Sequence, residues 1–247
     1  MINDYKNVEN ILKIWLKDHV QKANASGVVV GLSGGIDSSV SSVIAKKVFP
    51  ENSLGIIMPC YSSENDKKDA IMIAEEFNIK YKVNNLNNLF ECFKKTVNTE
   101  KDDIDLALAN TKARMRMMTL YYYAAKNNYL VLGTGNWSEL KVGYFTKYGD
   151  GGVDLELLGH LLKTEVKKLA EHLEIPKKII DKKPSAGLWE AQTDEEEMGV
   201  SYQELDKYIL TGKAEKEIEE KITTLVKSNS HKTNSIPAPQ RNILLKP

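Results

Sequence analysis

The sequence predicts an α/β protein with a doubly wound parallel sheet that is flanked by helices. Short apolar runs alternate along the chain with longer segments of helical periodicity. The first run, at 28–30, ends in a turn with two adjacent glycines, and Val40 and Val43 then recur at helical spacing. Strands that alternate with helices form parallel sheets, whose ligands bind beyond the carboxyl ends of the strands.

The other elements continue this alternation. An amphipathic helix is expected over 8–20, before the first strand, and the helix after the glycine turn starts near Asp37. Three more strands are predicted at 53–58, 79–83 and 129–133; the one at 79–83 alternates apolar and polar residues, which favours a position near the sheet edge. Further helices are predicted over 64–77, 86–97, 103–126, 164–173, 176–180, 202–210 and 214–226.

Three segments lack a clear period. The glycine-rich stretch 141–158 is expected to be a functional loop, and the polar stretch 182–197 a mobile segment. The tail, about 228–247, contains three prolines and is expected to be extended and flexible. We expect one domain over 1–247.

Composition excludes several classes of function. Lys plus Arg and Asp plus Glu each total 34, so no overall field attracts nucleic acid or an anionic membrane. The two cysteines, Cys60 and Cys92, form no C-x-x-C pair and indicate buried thiols in a reducing cytoplasm. No apolar run has the length of a membrane span, so a cytoplasmic location is expected.

The glycine turn has the composition of a phosphate-binding loop. A strand, a glycine-rich turn and a helix start place free backbone N–H groups around one point. The loop lacks the lysine of a Walker A motif and carries Asp37 instead, and a carboxylate beside a polyphosphate implies Mg²⁺ between them. The alternative is an ordinary turn with Asp37 as a helix cap. The loop comprises Gly31, Leu32, Ser33, Gly34, Gly35, Ile36, Asp37 and Ser38.

A second candidate edge follows the strand at 129–133. There the chain reads G-T-G-N-W-S-E, so Thr134 and Glu139 are expected on the same rim as Asp37, with Glu139 completing the magnesium site. The alternative is a helix start with an acid that the helix dipole favours. On the helix at 103–126, Arg114 and Arg116 lie on different faces, so at most one of them faces a given ligand.

The motifs together resemble a known family. S-G-G-I-D-S is similar to the pyrophosphate loop of the N-type ATP pyrophosphatases, which cleave ATP between its α- and β-phosphates. With N-T-K-A-R-M-R, G-T-G-x-x-x-E, F-T-K-Y-G-D-G-G-V-D and K-P-S-A-G-L in the same order, the chain resembles ammonia-dependent NAD synthetases over 31–232. The resemblance implies an adenine nucleotide alpha hydrolase-like, Rossmann-like fold. One departure stands out, since many bacterial members read G-T-D-H-A-A-E where this chain reads G-T-G-N-W-S-E.

The resemblance also implies roles for individual residues. Asp37 and Glu139 would bind Mg²⁺, and with Lys163 they would form the catalytic group. ATP would contact the loop from Gly31 to Ser38 together with Thr134, Lys163 and Ser185. Deamido-NAD would contact Arg114, Lys147, Asp154, His231 and Lys232, the last two from the tail.

The implied reaction is the ATP-dependent amidation of deamido-NAD to NAD by ammonia. It passes through an NAD-adenylate and releases AMP and pyrophosphate, and the implied assembly is a homodimer. About 26 residues precede the first strand, so free ammonia is the expected donor rather than an ammonia-generating fused domain. A separate glutaminase subunit stays open.

Two other functions stay open at this stage. One is a different ATP pyrophosphatase amidase, such as the GMP-forming type, although the F-T-K-Y-G-D-G-G segment argues against it. The other is a non-catalytic ATP-binding sensor on the same fold. The acid pair Asp37 and Glu139 disfavours the sensor, which has little need of a metal-held pyrophosphate.

Overall fold

The computed structural model describes residues 2–99, 106–185, 193–239 and 241. Its sheet has five parallel strands in the order β3-β2-β1-β4-β5. The strands are β1 (Gly27–Gly31), β2 (Ser53–Ile57), β3 (Tyr81–Val83), β4 (Tyr129–Gly133) and β5 (Leu155–Glu156). The order reverses at β1 and β4, as expected of a doubly wound sheet, and β3 lies at an edge as the sequence predicted.

Helices cover both faces of this sheet and extend beyond it. They are α1 (Tyr5–Lys22), α2 (Ile36–Val48), α3 (Glu64–Glu76), α4 (Asn87–Thr96), α5 (Leu106–Asn127), α6 (Trp137–Val142), α7 (Lys163–His172), α8 (Lys177–Ile180), α9 (Asp194–Met198), α10 (Tyr202–Thr211), α11 (Lys216–Ser228) and α12 (Ser230–Thr233). Among the described residues, no helix combines the length and apolar character needed to cross a membrane.

The alternation of side chains along β1 builds a core on each face. Val28 and Val30 belong to the apolar cluster under α1, α2, α3 and α7, whereas Val29 belongs to the cluster under α4 and α5. All three valines are at most 1% exposed. Burial of both faces explains why this strand reads as a continuous apolar run.

A third cluster fixes the helices beside the carboxyl edge of the sheet. Val142 from α6, Tyr202 and Leu205 from α10 and Ile222 from α11 are all buried together. This packing carries the start of α10 to the carboxyl edge of the sheet, where the Tyr202 hydroxyl has polar partners. The C-terminal helices are therefore part of the site's framework.

The structure corrects four expectations from the sequence. The first concerns the cysteines, which were expected to be buried: Cys60 is buried, but Cys92 is exposed. The glycine-rich stretch 141–158 contains a fifth strand, β5, and the polar stretch 182–197 ends in helix α9. The tail forms a helical turn, α12, where an extended chain was expected. Several predicted features lie outside the described residues, namely the first turn of the helix at 103–126, positions 186–188 of K-P-S-A-G-L, and Pro247.

Candidate active site

The candidate site lies where the strand order reverses. β1 and β4 are neighbours in the sheet, and the loops that leave their carboxyl ends diverge to form a crevice. The phosphate-binding loop follows β1, and the segment from Thr134 to Glu139 follows β4. The sheet topology therefore brings together two motifs about one hundred residues apart, which is the place where doubly wound folds bind ligands.

The loop after β1 is held by its own hydroxyl groups. Ser38 Oγ donates to the Gly35 carbonyl at 3.0 Å and lies 3.0 Å from Ser33 Oγ, while Ser39 Oγ donates to the same carbonyl at 2.8 Å. Gly35 is the N-cap of α2, and no side chain among the described residues caps this helix. The first N–H groups of α2 are thus left for an anion.

Two carboxylates and one ammonium group meet in front of this helix. Lys163 Nζ lies 2.6 Å from Asp37 Oδ2 and 2.9 Å from Glu139 Oε1. The lysine side chain is 9% exposed and each acid 16%. The sequence predicted all three residues at one site, with Lys163 facing phosphate. The structure places Lys163 between the acids.

Burial and charge shift the pKa values of this group. Burial lowers the pKa of Lys163, but Asp37 and Glu139 outweigh it, so the net pKa is raised and the lysine is charged. Burial raises the pKa of Glu139, Asp37 adds to the shift, and Lys163 opposes it. With two acids and one base, the cluster holds an excess of negative charge that a further cation would stabilise.

Asn136 connects the two acids, and sequence reasoning missed it. Its side chain is fully buried; Nδ2 donates to Asp37 Oδ1 at 3.0 Å, and Oδ1 accepts the Glu139 N–H at 3.1 Å. Glu139 Oε2 accepts the Asn136 N–H in return, which completes a capping box at the start of α6. The spacing N-x-x-E is a known signal for such a box. This chain therefore fills with asparagine the position where many bacterial members carry histidine.

A chain of hydrogen bonds through two tyrosines extends from Glu139 to α9, and it was not predicted from the sequence. The Tyr202 hydroxyl lies 3.1 Å from Glu139 Oε1 and 3.0 Å from Asp194 Oδ2. The Tyr144 hydroxyl lies 3.1 Å from Asp194 Oδ1 and 2.7 Å from Glu197 Oε2. Burial and these carboxylates raise the pKa of both tyrosines, so they stay protonated.

The donor set fits a magnesium ion. Asp37 and Glu139 each direct a carboxylate oxygen at the same point, and carboxylate oxygens are the ligands that Mg²⁺ prefers. Within the described part of the chain, no group of three or more His, Cys, Asp or Glu residues could hold a metal alone. Two carboxylates completed by phosphate oxygens and water match the usual magnesium site of a nucleotide enzyme.

A small cavity of about 50 Å³ lies beside Glu139. Its polar walls include Thr134 at the end of β4, the half-buried Glu156 on β5, and Asp150. Glu156 accepts the Gly135 N–H at 3.1 Å, and burial raises its pKa to about 8. Neither Glu156 nor the strand that carries it, β5, was predicted from the sequence. The cavity has room for a molecule the size of water, and three acidic residues line it, namely Glu139, Asp150 and Glu156.

The structure brings together four of the five residues expected to contact deamido-NAD. Arg114 Nε donates to the Lys147 carbonyl at 3.4 Å, and Lys147 Nζ donates to the His231 carbonyl. Lys232 Nζ donates to two carbonyls of the segment after α6, those of Gly143 and Phe145, at 2.9 Å each. The start of the tail is therefore docked beside Arg114.

Asp154 and Ser185 are placed differently. Asp154 accepts the Val131 N–H at 2.8 Å and the Tyr121 hydroxyl at 3.0 Å, so both of its oxygens already bind protein groups. These contacts tie the approach to β5 against β4 and α5. Ser185 is exposed, three residues beyond Lys182, whose side chain reaches the phosphate-binding loop.

Comparison with known proteins agrees with this geometry. The family model for NAD synthase matches residues 8–237. The NH3-dependent NAD+ synthetase of Carboxydothermus hydrogenoformans is 53% identical over 220 residues, which cover 88% of this chain and 90% of the relative.

Two solved structures are similar to this chain over nearly its whole length. The structure of NMN synthetase from Francisella tularensis has a TM-score of 0.92 at 37% identity, covering 96% of this chain and 99% of that one. The structure of NH3-dependent NAD synthetase from Campylobacter jejuni has a TM-score of 0.80 at 28% identity, covering 97% and 100%.

Proposed function

Because this chain belongs to the NAD synthase family, we propose that it amidates deamido-NAD with ammonia at the expense of ATP, releasing AMP and pyrophosphate. One observation carries the proposal, namely the convergence of Asp37, Glu139 and Lys163 in front of the uncapped start of α2. That arrangement suits a polyphosphate with a divalent cation, since it offers N–H donors, carboxylates and one ammonium group within a few ångströms.

In the first step, in which ATP loses pyrophosphate, the residues of the site have different roles. The N–H groups of the loop and of α2 bind the phosphates of ATP, and Asp37 and Glu139 would hold Mg²⁺. When bound, Mg²⁺ would supply positive charge against the negative charge of the pyrophosphate. The ammonium group of Lys163, which lies between the two carboxylates, would contact the phosphates of bound ATP.

The reaction itself needs no protein nucleophile. The pyridine carboxylate attacks the α-phosphorus, and the bond to pyrophosphate breaks to give the NAD-adenylate. Ammonia then attacks the activated carbonyl carbon, AMP leaves, and the nitrogen loses a proton. The protein contributes position and charge, which account for much of the rate in phosphoryl and acyl transfer. Deamido-NAD is bound by five residues, namely Arg114, Lys147, Asp154, His231 and Lys232.

Ammonia is assigned to the cavity beside Glu139. The ammonium ion is close to water in size, and Glu139, Asp150 and Glu156 line the cavity with carboxyl oxygens that can accept its hydrogen bonds. Burial raises the pKa of Glu156 to about 8, well above that of an ordinary carboxyl group, and its ionised form is therefore a better proton acceptor for the bound ammonium ion. Thr134 links this cavity to the ATP site.

The assembly and location are also part of the proposal. The protein is a cytoplasmic homodimer, and Ile11 and Ile14 on α1, which are 56% and 70% exposed, provide apolar surface for a second copy. Nucleic acid and membranes are not partners, because Lys plus Arg equals Asp plus Glu over the chain.

The decisive experiment measures NAD and AMP together, with deamido-NAD, ATP, Mg²⁺ and ammonium as reactants. Equal amounts of NAD and AMP are expected, and glutamine in place of ammonium gives little NAD. AMP without NAD overturns the assigned acceptor while keeping the ATP chemistry. Binding of ATP with neither product overturns the enzyme and favours the sensor.

One finding favours a second acceptor. The relative from Francisella tularensis, named an NMN synthetase, shares 37% identity over nearly the whole chain. The deamidated form of NMN carries the same pyridine carboxylate but lacks the second nucleotide. Competition between the two acceptors in the same assay decides, and a preference for the mononucleotide would replace deamido-NAD in the proposal.

A further inference from the structure

Lys182 joins three parts of the molecule that are far apart in the chain. Its ammonium group donates to Asp66 Oδ1 at 2.7 Å, to Asp69 Oδ2 at 2.8 Å and to the Gly34 carbonyl at 3.3 Å. A lysine has three N–H donors, so these bonds use all of them. Lys182 itself lies between α8 and Ser185.

The two aspartates belong to α3 and differ in burial. The Asp69 side chain is 2% exposed, whereas that of Asp66 is 29% exposed. Asp69 has a second cation, because Lys178 Nζ lies 2.5 Å from its Oδ1. A buried carboxylate needs such partners, but Lys178 contacts neither Asp66 nor the loop by the hydrogen bonds and ion pairs of the described residues. The bridge to the loop is specific to Lys182.

The carbonyl that Lys182 contacts belongs to a constrained peptide of the phosphate-binding loop. Gly34 has φ of +79°, and a Cβ added there would lie 2.5 Å from the Asp66 carbonyl oxygen. The Gly34 carbonyl accepts from Lys182, and the Gly35 N–H of the same peptide donates to Ser33 Oγ at 3.2 Å. Because the peptide is planar, these two bonds fix its orientation from both sides.

We propose that Lys182 is a positioning residue for the phosphate-binding loop, and that it ties the loop to α3 and to the segment that leads to Ser185. Lys182 does not touch ATP, since its donors are occupied by protein groups. It fixes the direction of the Gly34–Gly35 peptide at the start of α2 and thereby the N–H groups that receive phosphate. This inference rests on the proposed function, in which the loop and Ser185 bind ATP.

The test compares Lys182→Met with Lys178→Met, which removes a cation from the same Asp69 but leaves the loop contact. We expect Lys182→Met to raise the KM for ATP about tenfold, as loss of a charge-assisted hydrogen bond predicts. The KM for deamido-NAD stays unchanged, and Lys178→Met leaves both values at wild-type level. Lys182→Arg, which keeps the charge and can bridge the carboxylates, recovers most of the affinity for ATP.

Two results would overturn the inference. One is an unchanged KM for ATP in Lys182→Met, and the other is an equal rise in Lys178→Met, which would mean that both lysines merely stabilise Asp69. If Lys182→Met does not fold, Asp66→Asn replaces it, because Asp69 then keeps both cations while the bridge is weakened; a wild-type KM for ATP in Asp66→Asn overturns the inference.

A calorimetric measurement of Mg·ATP binding without deamido-NAD separates this inference from the proposed function. If the wild-type protein binds ATP but makes no NAD, the proposed function is overturned and the positioning role is not. Weaker binding in Lys182→Met than in Lys178→Met still supports the positioning role, and equal binding in the two variants overturns it.

Discussion

The candidate site and the layer of helices α1, α2 and α7 behind the sheet each contain buried acids with cationic partners. The balance of charge differs between the two clusters. Behind the sheet, Glu9 of α1 accepts from Lys13 and Lys47 at 3.0 Å each and lies 2.9 Å from His172 Nε2. At the site, two acids share one lysine. The cluster behind the sheet has two lysines for one acid, whereas the site has two acids for one lysine.

The pKa values follow this difference. Burial would raise the pKa of Glu9, but Lys47, Lys13 and His172 outweigh it and lower the pKa to about 2. Burial raises the pKa of Glu156 to about 8, and the pKa of Glu139 also rises. An acid that is fully paired contributes to stability, whereas one left partly unpaired costs stability and is available for a ligand. Charge balance thus separates the paired acid Glu9 from the acids of the candidate site.

The largest effect should come from removing one acid at the site. Asp37→Asn or Glu139→Gln should reduce NAD formation by roughly 10²–10³-fold, because the proposed magnesium site loses a negative charge. Neither variant should lower the melting temperature, since Lys163 keeps one carboxylate partner. Steady-state rates and thermal melts check both parts. The contrast between the two clusters fails if Asp37→Asn lowers the melting temperature as much as Glu9→Gln.

A second variant tests Glu156, which lies outside the proposed magnesium site and forms no ion pair among the described residues. Glu156→Gln keeps the shape of the side chain and should raise the KM for ammonium about tenfold, the effect of losing one charged hydrogen bond. The KM for ATP should not change, because Glu156 contacts the loop after β4 and not the phosphate-binding loop. If the KM values for ammonium and ATP rise together, Glu156 supports the framework and does not bind ammonium.

The cluster behind the sheet should respond in stability and not in rate. Glu9→Gln should lower the free energy of unfolding by about 1 kcal/mol at neutral pH, since Lys13 and Lys47 lose their ion-pair partner. The folded pKa of about 2 lies below the unfolded value of 4.5, so this contribution is present above pH 4.5 and disappears as the pH falls towards 2. NAD formation should be unchanged.

Urea unfolding at pH 7 and pH 3 measures this difference. Asp18→Asn is the matched control, because the Asp18–Lys22 pair on the same helix is 2.6 Å long but its side chains are 47% and 71% exposed. Exposed pairs contribute little, so Asp18→Asn should leave stability nearly unchanged at both values of pH. A loss in Glu9→Gln that is the same at pH 3 as at pH 7 would show that packing, and not charge, accounts for the effect.

Much of the fold and part of the site could be predicted from sequence, because these depend on local patterns. The apolar runs at 28–30 and 129–133 located β1 and β4, and parallel topology then places the loops that follow them on one rim. β5 has only two residues, which is too short for any period, and its Glu156 was missed with it. Tyr202 lies 63 residues from its partner Glu139, and no local pattern encodes such a contact.

Other predictions depended on the resemblance and not on periodicity. The family assignment is confirmed by the NAD synthase match over residues 8–237. The individual roles of Lys147, His231 and Lys232 remain predictions, although the structure places these residues beside one another. The pairing of Lys163 with both acids was not foreseen, because motif spacing does not report where an ammonium group lies before its substrate binds.

Asn136 offers the finest test of the contrast, because it stabilises a helix and orients an acid at the same time. Asn136→Ala removes both functions, whereas Asn136→Ser keeps a good helix cap but lacks the amide Nδ2 that donates to Asp37. We expect Asn136→Ala to lower the free energy of unfolding by about 1 kcal/mol and Asn136→Ser to leave it nearly unchanged.

Activity separates the two roles of Asn136. Both variants should need about threefold more Mg²⁺ for half-maximal rate, the effect of one lost neutral donor on the orientation of Asp37. A magnesium titration of the rate, set against urea unfolding of the same samples, measures the two quantities independently. If Asn136→Ser needs no more magnesium than the wild type, Asn136 acts as a helix cap alone and the orientation of Asp37 depends on Lys163, the remaining partner of its carboxylate in the described chain.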